Sequence, residues 1–211
     1  MLKTLGYSDI NRMKRWIILF LSLLPLSEVW AGAQQYQEIS LSNRQELRQK
    51  FYGHTNQINS FRDVNHAIGW ISYQSGHLKK RIPDDKQRRD FLRMVHYEAT
   101  RYELDPDLVL ALIEVESGFN RFALSHVGAS GLMQVMPFWK DLIGNKTDSL
   151  FEMQTNLRYG CIILRHYLDI EGNNVQRALA RYNGSLGSDV YPNMVLGAWQ
   201  GRYRYLSQPK A

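Results

Sequence analysis

Cysteine is nearly absent from this 211-residue chain, in which Cys161 is the only one. A single cysteine cannot form an intrachain disulfide, so a noncovalent core must hold the fold. Cys161 shares a helical stripe with Leu157, Leu164 and Leu168, which favours a buried apolar role over a reactive thiol. The six histidines show no metal-ligand spacing, and His96 is interpreted as a packed or surface residue. The sequence therefore predicts no metal and no other cofactor.

Strand alternation and tandem repeats are also missing after residue 33. With 44% hydrophobic and 22% charged residues, the chain has the composition of one globular domain with an accessory segment. Helical periodicity recurs throughout and predicts an all-α fold with short connections. Pro83 disfavours helix at Ile82 and separates two helices. The predicted helices cover residues 42–52, 57–80, 86–103, 106–117, 132–143, 155–170 (capped by Thr155), 174–182 (capped by Asn173 or Asn174) and 190–206.

No apolar run is long enough to span a bilayer as a helix. Residues 16–26 are a short apolar run that follows a basic start and precedes small residues at 31–33, the pattern of a cleaved export signal over 1–33. The alternative is an uncleaved amphipathic anchor. Residues 34–211 keep a net charge of +4, because residues 1–33 hold four basic and two acidic side chains. This modest charge favours an anionic partner, while the lack of a long basic run argues against nucleic acid.

The helix over 106–117 carries the most informative residue. Asp105 is a cap and Pro106 takes the first helical position. At about 100° per residue, Glu116 falls roughly 40° from Leu112, inside the apolar arc. Burial would raise the pKa of Glu116, and a carboxyl that is protonated near neutral pH can act as a general acid. The structural alternative is a helix-end glutamate that reaches water or a backbone amide. The same wheel predicts that Glu114 lies beside Asp107 on the solvent side.

Polar and glycine-rich clusters follow this helix at 125–137, 180–184 and 191–196. Gly128 and Gly131 allow positive φ angles or a close backbone approach, although a glycine pair is more often a simple turn. Ser125 and Gln134 can hydrogen-bond sugar hydroxyls or N-acetyl groups. Asn183 ends a helix, where a side chain can point into a groove, although a helix-ending Asn-Gly is more often only a cap.

Along the chain, Glu-Ser is followed by Ser125, by Gly-Ala-x-Gly-Leu-Met-Gln-x-Met-Pro, and then by Asn-x-x-x-Gly (Asn156 to Gly160), Tyr-Asn-Gly and Tyr-x-x-x-Val-Leu. The order of these motifs resembles that of the soluble lytic transglycosylase family, which has a lysozyme-like fold related to goose-type lysozymes and cleaves peptidoglycan. The resemblance covers roughly residues 90–200. The sequence departs from the family pattern at Arg121, where proline is common, and after Pro137, where Phe-Trp-Lys-Asp replaces small polar residues. These two departures put the details of substrate binding in doubt more than the chemistry.

The resemblance implies that Glu116 is the single catalytic acid/base and that the substrate is the peptidoglycan glycan strand. It implies substrate contacts by the groove residues Ser117, Ser125, Met133, Gln134, Met136, Tyr182, Asn183 and Tyr191. The expected organisation is an export signal (1–33), an N-terminal helical segment (34–90) and the catalytic domain (91–206). The exported protein is expected in the periplasm at the cell wall, without stable membrane insertion.

Three other functions stay open at this point. A hydrolytic lysozyme would use the same fold and the same glutamate. A glycan-binding module would keep the groove without the chemistry. A specialised wall-opening enzyme would use residues 34–90 to dock an envelope partner of a secretion or conjugation system.

Overall fold

The computed structural model of the protein describes residues 39–52 and 60–206. Within these ranges the chain forms helices and a few turns, and its only bridges between extended residues join Ser130 to Leu124 and to Val135. The predicted all-α class is therefore confirmed. The helices are α1 (Leu41–Tyr52), α2 (Val64–Leu78), α3 (Asp85–Arg101), α4 (Pro106–Ser117), α5 (Phe138–Ile143), α6 (Met153–Ile170), α7 (Val175–Asn183), α8 (Val190–Ala198) and a π-helical turn (Trp199–Tyr203).

Helix α4 lies at the centre of the packing. Every residue from 108 to 113 is buried, so this helix is covered on nearly all sides. Its start follows from Asp105, whose side chain accepts a hydrogen bond from the backbone N–H of Asp107 at 2.8 Å, and from Pro106. It ends at Gly118, which adopts φ 56° and donates its N–H to the carbonyl of Glu114. The bounds predicted for this helix are confirmed.

The other helices surround α4 in a simple order. Helix α3, α8 and the π-helical turn contact it directly, while α6 packs against α3 and α7. The N-terminal helices pack onto this body: α1 contacts α5 and α6, and α2 contacts α3 and the π-helical turn. The buried side chains of Cys161 and His96 lie in this packing, as predicted. No helix within the described ranges is long and apolar enough to cross a membrane. The predicted export signal lies outside the described residues.

The solvent-facing position predicted for Asp107 is wrong. Its side chain is only 6% exposed. Trp70 Nε1 and Gln74 Nε2 donate to Oδ1 at 2.7 and 2.8 Å, and the backbone N–H of Tyr205 donates to Oδ2 at 2.7 Å. Burial raises the pKa of this carboxyl to about 6, although the three donors lower it. Two segments distant in the chain, α2 and residues 203–205, thus cover the face that the helical wheel assigned to water.

Glu114 is covered for the same reason. Its side chain is 19% exposed and forms an ion pair with Arg202, which follows α8 on the π-helical turn. The guanidinium donates to the Glu114 carboxylate through Nη1. The prediction that Glu114 faces solvent is therefore wrong.

Four predicted helix bounds also need correction. In the helix predicted over 57–80, residues 60–63 and 79–80 are not helical, and Asp63 caps α2 by accepting from the backbone N–H of His66. The helix predicted over 132–143 is limited to α5, because Gln134 adopts φ 48° and Pro137 cannot donate a backbone hydrogen bond. Helix α6 begins earlier than predicted, since Glu152 rather than Thr155 caps it by accepting from two backbone N–H groups. Asn174 caps α7. The last predicted helix is α8 followed by the π-helical turn.

Candidate active site

Glu116 lies in the last turn of α4, where the helix leaves the core and reaches a partly exposed position. The hydroxyl of Tyr191, on α8, donates a 2.5 Å hydrogen bond to Oε1 of Glu116. Burial raises the pKa of Glu116 to about 8, and the hydrogen bond from Tyr191 lowers it only in part. The carboxyl therefore carries a proton at neutral pH, which is the state that a general acid needs.

In the described part of the chain, no second carboxylate contributes to the raised pKa of Glu116. Burial and the Tyr191 hydroxyl are the causes of the raised pKa of Glu116 among the residues that the structure describes. Tyr191 is itself buried, and burial followed by the adjacent carboxylate raises the pKa of its hydroxyl well above the usual value. Tyr191 thus stays protonated and acts as a hydrogen-bond donor. The site combines one protonated carboxyl with one fixed donor.

Ser117 joins the end of α4 to the loop that follows. Its hydroxyl lies 2.7 Å from the carbonyl oxygen of Leu132 and 3.1 Å from that of Ile113. The hydroxyl has only one proton to donate, and the shorter distance indicates that the carbonyl of Leu132 is its main acceptor. The side chain next to Glu116 therefore fixes the glycine-rich loop against α4.

Asn156 supports the same loop from α6. Its amide Nδ2 donates to the carbonyls of Ser130 and Leu150, both at 2.8 Å, and its Oδ1 accepts from the backbone N–H of Met133 at 2.8 Å. Gly131 adopts φ 80°, and a Cβ there would lie 2.4 Å from Asn156 Nδ2. Only glycine fits this close contact with that backbone conformation. Asn156 and Gly131 thus form one unit that sets the loop conformation.

The side chains of Met133, Gln134 and Tyr182 are buried behind this loop. The Tyr182 hydroxyl donates to the carbonyl oxygen of Met133 at 2.8 Å, and Gln134 Nε2 donates to the carbonyl oxygen of Gly131 at 2.9 Å. In this conformation these three side chains lie beneath the loop and do not reach the surface. Their geometry indicates support of the loop, where the resemblance implied direct contact with sugar.

The remaining predicted residues take different positions. Asn183 is buried beside Tyr182 at the end of α7. Ser125 is partly exposed and accepts a 2.9 Å hydrogen bond from the backbone N–H of Ala129, which closes the tip of the loop. Met136 is partly buried and packs against the core. Direct contact of these side chains with a glycan stays a prediction.

Asn156 is the first residue of the Asn-x-x-x-Gly motif, and its support of the loop is not predicted from the sequence. The usable pattern was an asparagine followed four residues later by glycine on α6. A Cβ at Gly160 would lie 2.3 Å from Met133 Sδ, so the loop sits directly on this face of the helix. No group of three or more His, Cys, Asp or Glu side chains that could hold a metal ion occurs in the described part of the chain.

Similarity to known proteins covers the region that contains Glu116 and the glycine-rich loop. Residues 93–190 match the family described as the transglycosylase SLT domain. The membrane-bound lytic murein transglycosylase C of Actinobacillus pleuropneumoniae serotype 5b is 37% identical over 83 residues, which are 39% of this chain and 20% of that protein. The protein of the same name from Yersinia pestis (strain Pestoides F) is 31% identical over 141 residues, 58% of this chain and 38% of that protein. The chain thus spans well under half the length of these relatives.

Two solved structures are also similar. The 70 kDa soluble lytic transglycosylase of Escherichia coli is 26% identical, with a TM-score of 0.40, over 65% of this chain and 24% of that one. An inactive mutant of lytic transglycosylase Slt from Pseudomonas aeruginosa is 19% identical, with a TM-score of 0.48, over 85% of this chain and 39% of that one.

Proposed function

We propose that this chain, whose residues 93–190 match the transglycosylase SLT domain, is a peptidoglycan lytic transglycosylase. It would cleave the β-1,4 bond between N-acetylmuramic acid and N-acetylglucosamine and leave 1,6-anhydro ends. The observation that carries the proposal is the carboxyl of Glu116, whose pKa of about 8 keeps it protonated next to the donor Tyr191. The names of the relatives point to the same chemistry.

The count of carboxylates favours a single acid/base. Ordinary glycosidases place two carboxyl groups on opposite sides of the bond. Here burial and Tyr191 account for the pKa of Glu116, and no second carboxylate contributes among the described residues. One group would therefore serve as acid first and as base afterwards.

In the first step, protonated Glu116 would donate its proton to the glycosidic oxygen, and the bond to C1 of the muramic residue would break. The carbonyl oxygen of that residue's own N-acetyl group would stabilise the positive charge at C1. In the second step, ionised Glu116 would remove the proton from the C6 hydroxyl, whose oxygen attacks C1 and closes the anhydro ring. Tyr191 would stabilise the carboxylate between the two steps by its hydrogen bond.

The products test the proposal. Purified sacculi would be digested with the protein, and the released fragments would be weighed by mass spectrometry. A transglycosylase gives anhydro-muropeptides, whereas a hydrolytic lysozyme gives reducing ends that are heavier by one water. The Glu116→Gln variant serves as the control, because it should bind but not cleave. Reducing ends from the wild-type protein would replace the proposal with the hydrolase, and equal activity of both proteins would remove Glu116 from the mechanism.

The domain organisation and the cellular location belong to the same proposal. Residues 1–33 would export the chain, and residues 91–206 would act on the cell wall in the periplasm. Residues 34–90 would form the N-terminal segment. Within it, Trp70 and Gln74 of α2 bind Asp107 on the catalytic helix, which supports a structural role. A partner in the envelope would have to use the remaining surface of that segment.

A further inference from the structure

The C-terminal part of the described chain contacts every carboxyl group on α4 and at its cap. This part comprises α8, the π-helical turn and a non-helical strap, residues 204–206. Each contact is a hydrogen bond to one carboxyl: Trp199 Nε1 donates to Asp105, the backbone N–H of Tyr205 to Asp107, Arg202 to Glu114 and the Tyr191 hydroxyl to Glu116. The mechanism above uses the last of these contacts and gives the other three no role.

Asp107 and Glu116 hold the two ends of one helical rod. Helix α8 continues into the π-helical turn without a break, and the strap follows that turn directly. Tyr191 is the second residue of α8, and Tyr205 is the second residue of the strap. The contact between the strap and Asp107 therefore fixes the far end of the element that brings Tyr191 to Glu116.

Protonation of Asp107 would weaken this attachment, because both of its oxygens already accept from N–H groups. Oδ1 accepts from Trp70 Nε1 and Gln74 Nε2 of α2, and Oδ2 accepts from the backbone N–H of Tyr205 at 2.7 Å. An ionised carboxylate only accepts hydrogen bonds, whereas a protonated carboxyl places an O–H opposite a donor. A proton on Oδ1 would oppose two donors, but a proton on Oδ2 opposes one. The strap is therefore the contact that a proton displaces, and the contacts with α2 remain.

Asp107 titrates in a range where Glu116 keeps its proton. Burial raises the pKa of Asp107 to about 6, and the charge of Asp105 raises it further, while the three donors lower it. The pKa of Glu116 is about 8. Of the cations in the C-terminal part, Arg202 pairs with α4 and Arg204 is exposed to solvent. Between the two pKa values the strap is attached and Glu116 is protonated, which is the combination that the proposed reaction needs.

Two histidines lie near the same contact. From α3, the ring centroid of His96 lies 5.0 Å from that of Trp70. Burial lowers the pKa of His96 to about 4, so this histidine is neutral where Asp107 titrates. From α2, the ring centroid of His66 lies 6.1 Å from that of Tyr205. His66 is therefore the titratable group whose effect has to be separated from that of Asp107.

We propose that Asp107 is a positioning residue for the cleavage reaction, and that its ionised carboxylate holds α8 and Tyr191 in place against Glu116. When Asp107 takes up a proton, the strap detaches, α8 loosens and cleavage slows. The acid limb of the pH–rate profile then belongs to Asp107, although this residue is buried and lies about two and a half helical turns from Glu116. The effect on cleavage rests on the proposed function, whereas the detachment of the strap is a property of the fold.

The rate at which fragments are released from purified sacculi tests the proposal, whatever ends the fragments carry. For the wild type, this rate should fall as the pH drops through about 6. Asp107→Asn keeps an acceptor for Trp70 and Gln74, but its amide N–H group opposes the N–H of Tyr205, so the strap is detached at every pH. This variant should show no acid limb near pH 6. At pH 7 it should be about tenfold slower than the wild type, the effect of losing one charge-assisted hydrogen bond.

Two further variants separate positioning from a general loss of stability. Asp105→Asn can still cap α4 but removes a negative charge that raises the pKa of Asp107, so the acid limb should move to lower pH. His66→Gln is the matched control, because it removes a titratable ring near the strap and should leave the acid limb unchanged. Circular dichroism at each pH establishes that every variant is folded. A purely structural role of Asp107 would change the rate without moving this limb.

Amide hydrogen exchange measures the strap without turnover. In the wild type, the amides of Tyr205 and of α8 should exchange about tenfold faster at pH 5 than at pH 7, after correction for intrinsic rates, and in Asp107→Asn they should exchange equally fast at both. An acid limb that persists in Asp107→Asn, or equal protection of these wild-type amides at both pH values, would overturn the inference. If the wild type released no fragments at any pH, the proposed function would fail, while the exchange rates would still decide whether Asp107 controls α8.

Discussion

Replacing Glu116 by glutamine should abolish turnover and at the same time stabilise the fold. The glutamine keeps the shape of the side chain, and its carbonyl oxygen can still accept the hydrogen bond from Tyr191. It cannot ionise, however, so at pH 7 it avoids the cost of taking up a proton on folding, which a glutamate that is ionised in the unfolded chain must bear. The structure thus predicts that catalytic function and stability are in conflict at this one residue.

The magnitude follows from the pKa. The carboxyl of Glu116 has a pKa of about 8 in the folded chain, against an ordinary value of 4.5. A group whose pKa is raised on folding contributes stability that is complete below its ordinary pKa and is lost as the pH rises to the folded value. At 1.36 kcal/mol for each pH unit, the wild type loses on the order of 3 kcal/mol between pH 4.5 and pH 7. This is an upper figure, because the side chain keeps an edge at the surface, where water screens the charge.

Urea unfolding at pH 4.5 and pH 7 measures the effect. The difference in the free energy of unfolding between Glu116→Gln and the wild type should increase from pH 4.5 to pH 7, by up to about 3 kcal/mol in favour of the variant. Glu103→Gln makes the same chemical change on an exposed residue and should show no such growth. If the difference between Glu116→Gln and the wild type were constant with pH, Glu116 would titrate alike in the folded and unfolded chains, and the reasoning for its role as an acid would fail.

Three further changes have defined outcomes. Tyr191→Phe removes the hydrogen-bond donor that lowers the pKa of Glu116. The basic limb of the pH–rate profile should therefore move to higher pH, and kcat should fall. A basic limb at the same pH would show that this hydrogen bond does not affect the pKa of Glu116. In thermal unfolding, Gly131→Ala should destabilise the protein by about 2 kcal/mol more than Gly128→Ala. Both glycines have a positive φ, but only at Gly131 would a Cβ lie 2.4 Å from other atoms. Equal losses of stability in the two variants would show that backbone strain is the only cost. Trp70→Phe deletes a hydrogen-bond donor to Asp107, whose carboxyl is ionised above its pKa of about 6. In urea unfolding, this change should lower the free energy of unfolding by about 1–2 kcal/mol more at pH 8 than at pH 4. An equal loss at both pH values would show that this carboxyl stays neutral.

Helix α4 was predictable because its signals are local. Asp105 and Pro106 define its start and Gly118 its end, and each of these acts within one turn of the helix. The expectation that Glu116 is desolvated was also local, since it depended only on the angle between Glu116 and its apolar neighbours. The structure agrees, with a raised pKa at that residue.

The opposite face of the same helix could not be predicted in this way. A helical wheel assumes that one side of a helix meets water, but Asp107 and Glu114 are covered by α2 and by the segment that follows α8. Those partners lie between 33 and 98 residues away in the chain, and no local pattern reveals their approach. The loop before α5 was missed for a different reason: the left-handed conformation of Gln134 depends on contacts with its surroundings and not on its own preference.

The separation between Glu116 and Tyr191 also bears on when the proposed activity would appear. The residues that form this hydrogen bond lie 75 positions apart, and a glutamate in an unfolded chain is ionised at neutral pH. The proton on Glu116 is therefore a product of folding. Under the proposed mechanism, a nascent or partly folded chain, which carries an ordinary carboxylate there, would be inactive. Latency of this kind needs no inhibitor and no propeptide, because the reactive state does not exist until α8 has docked.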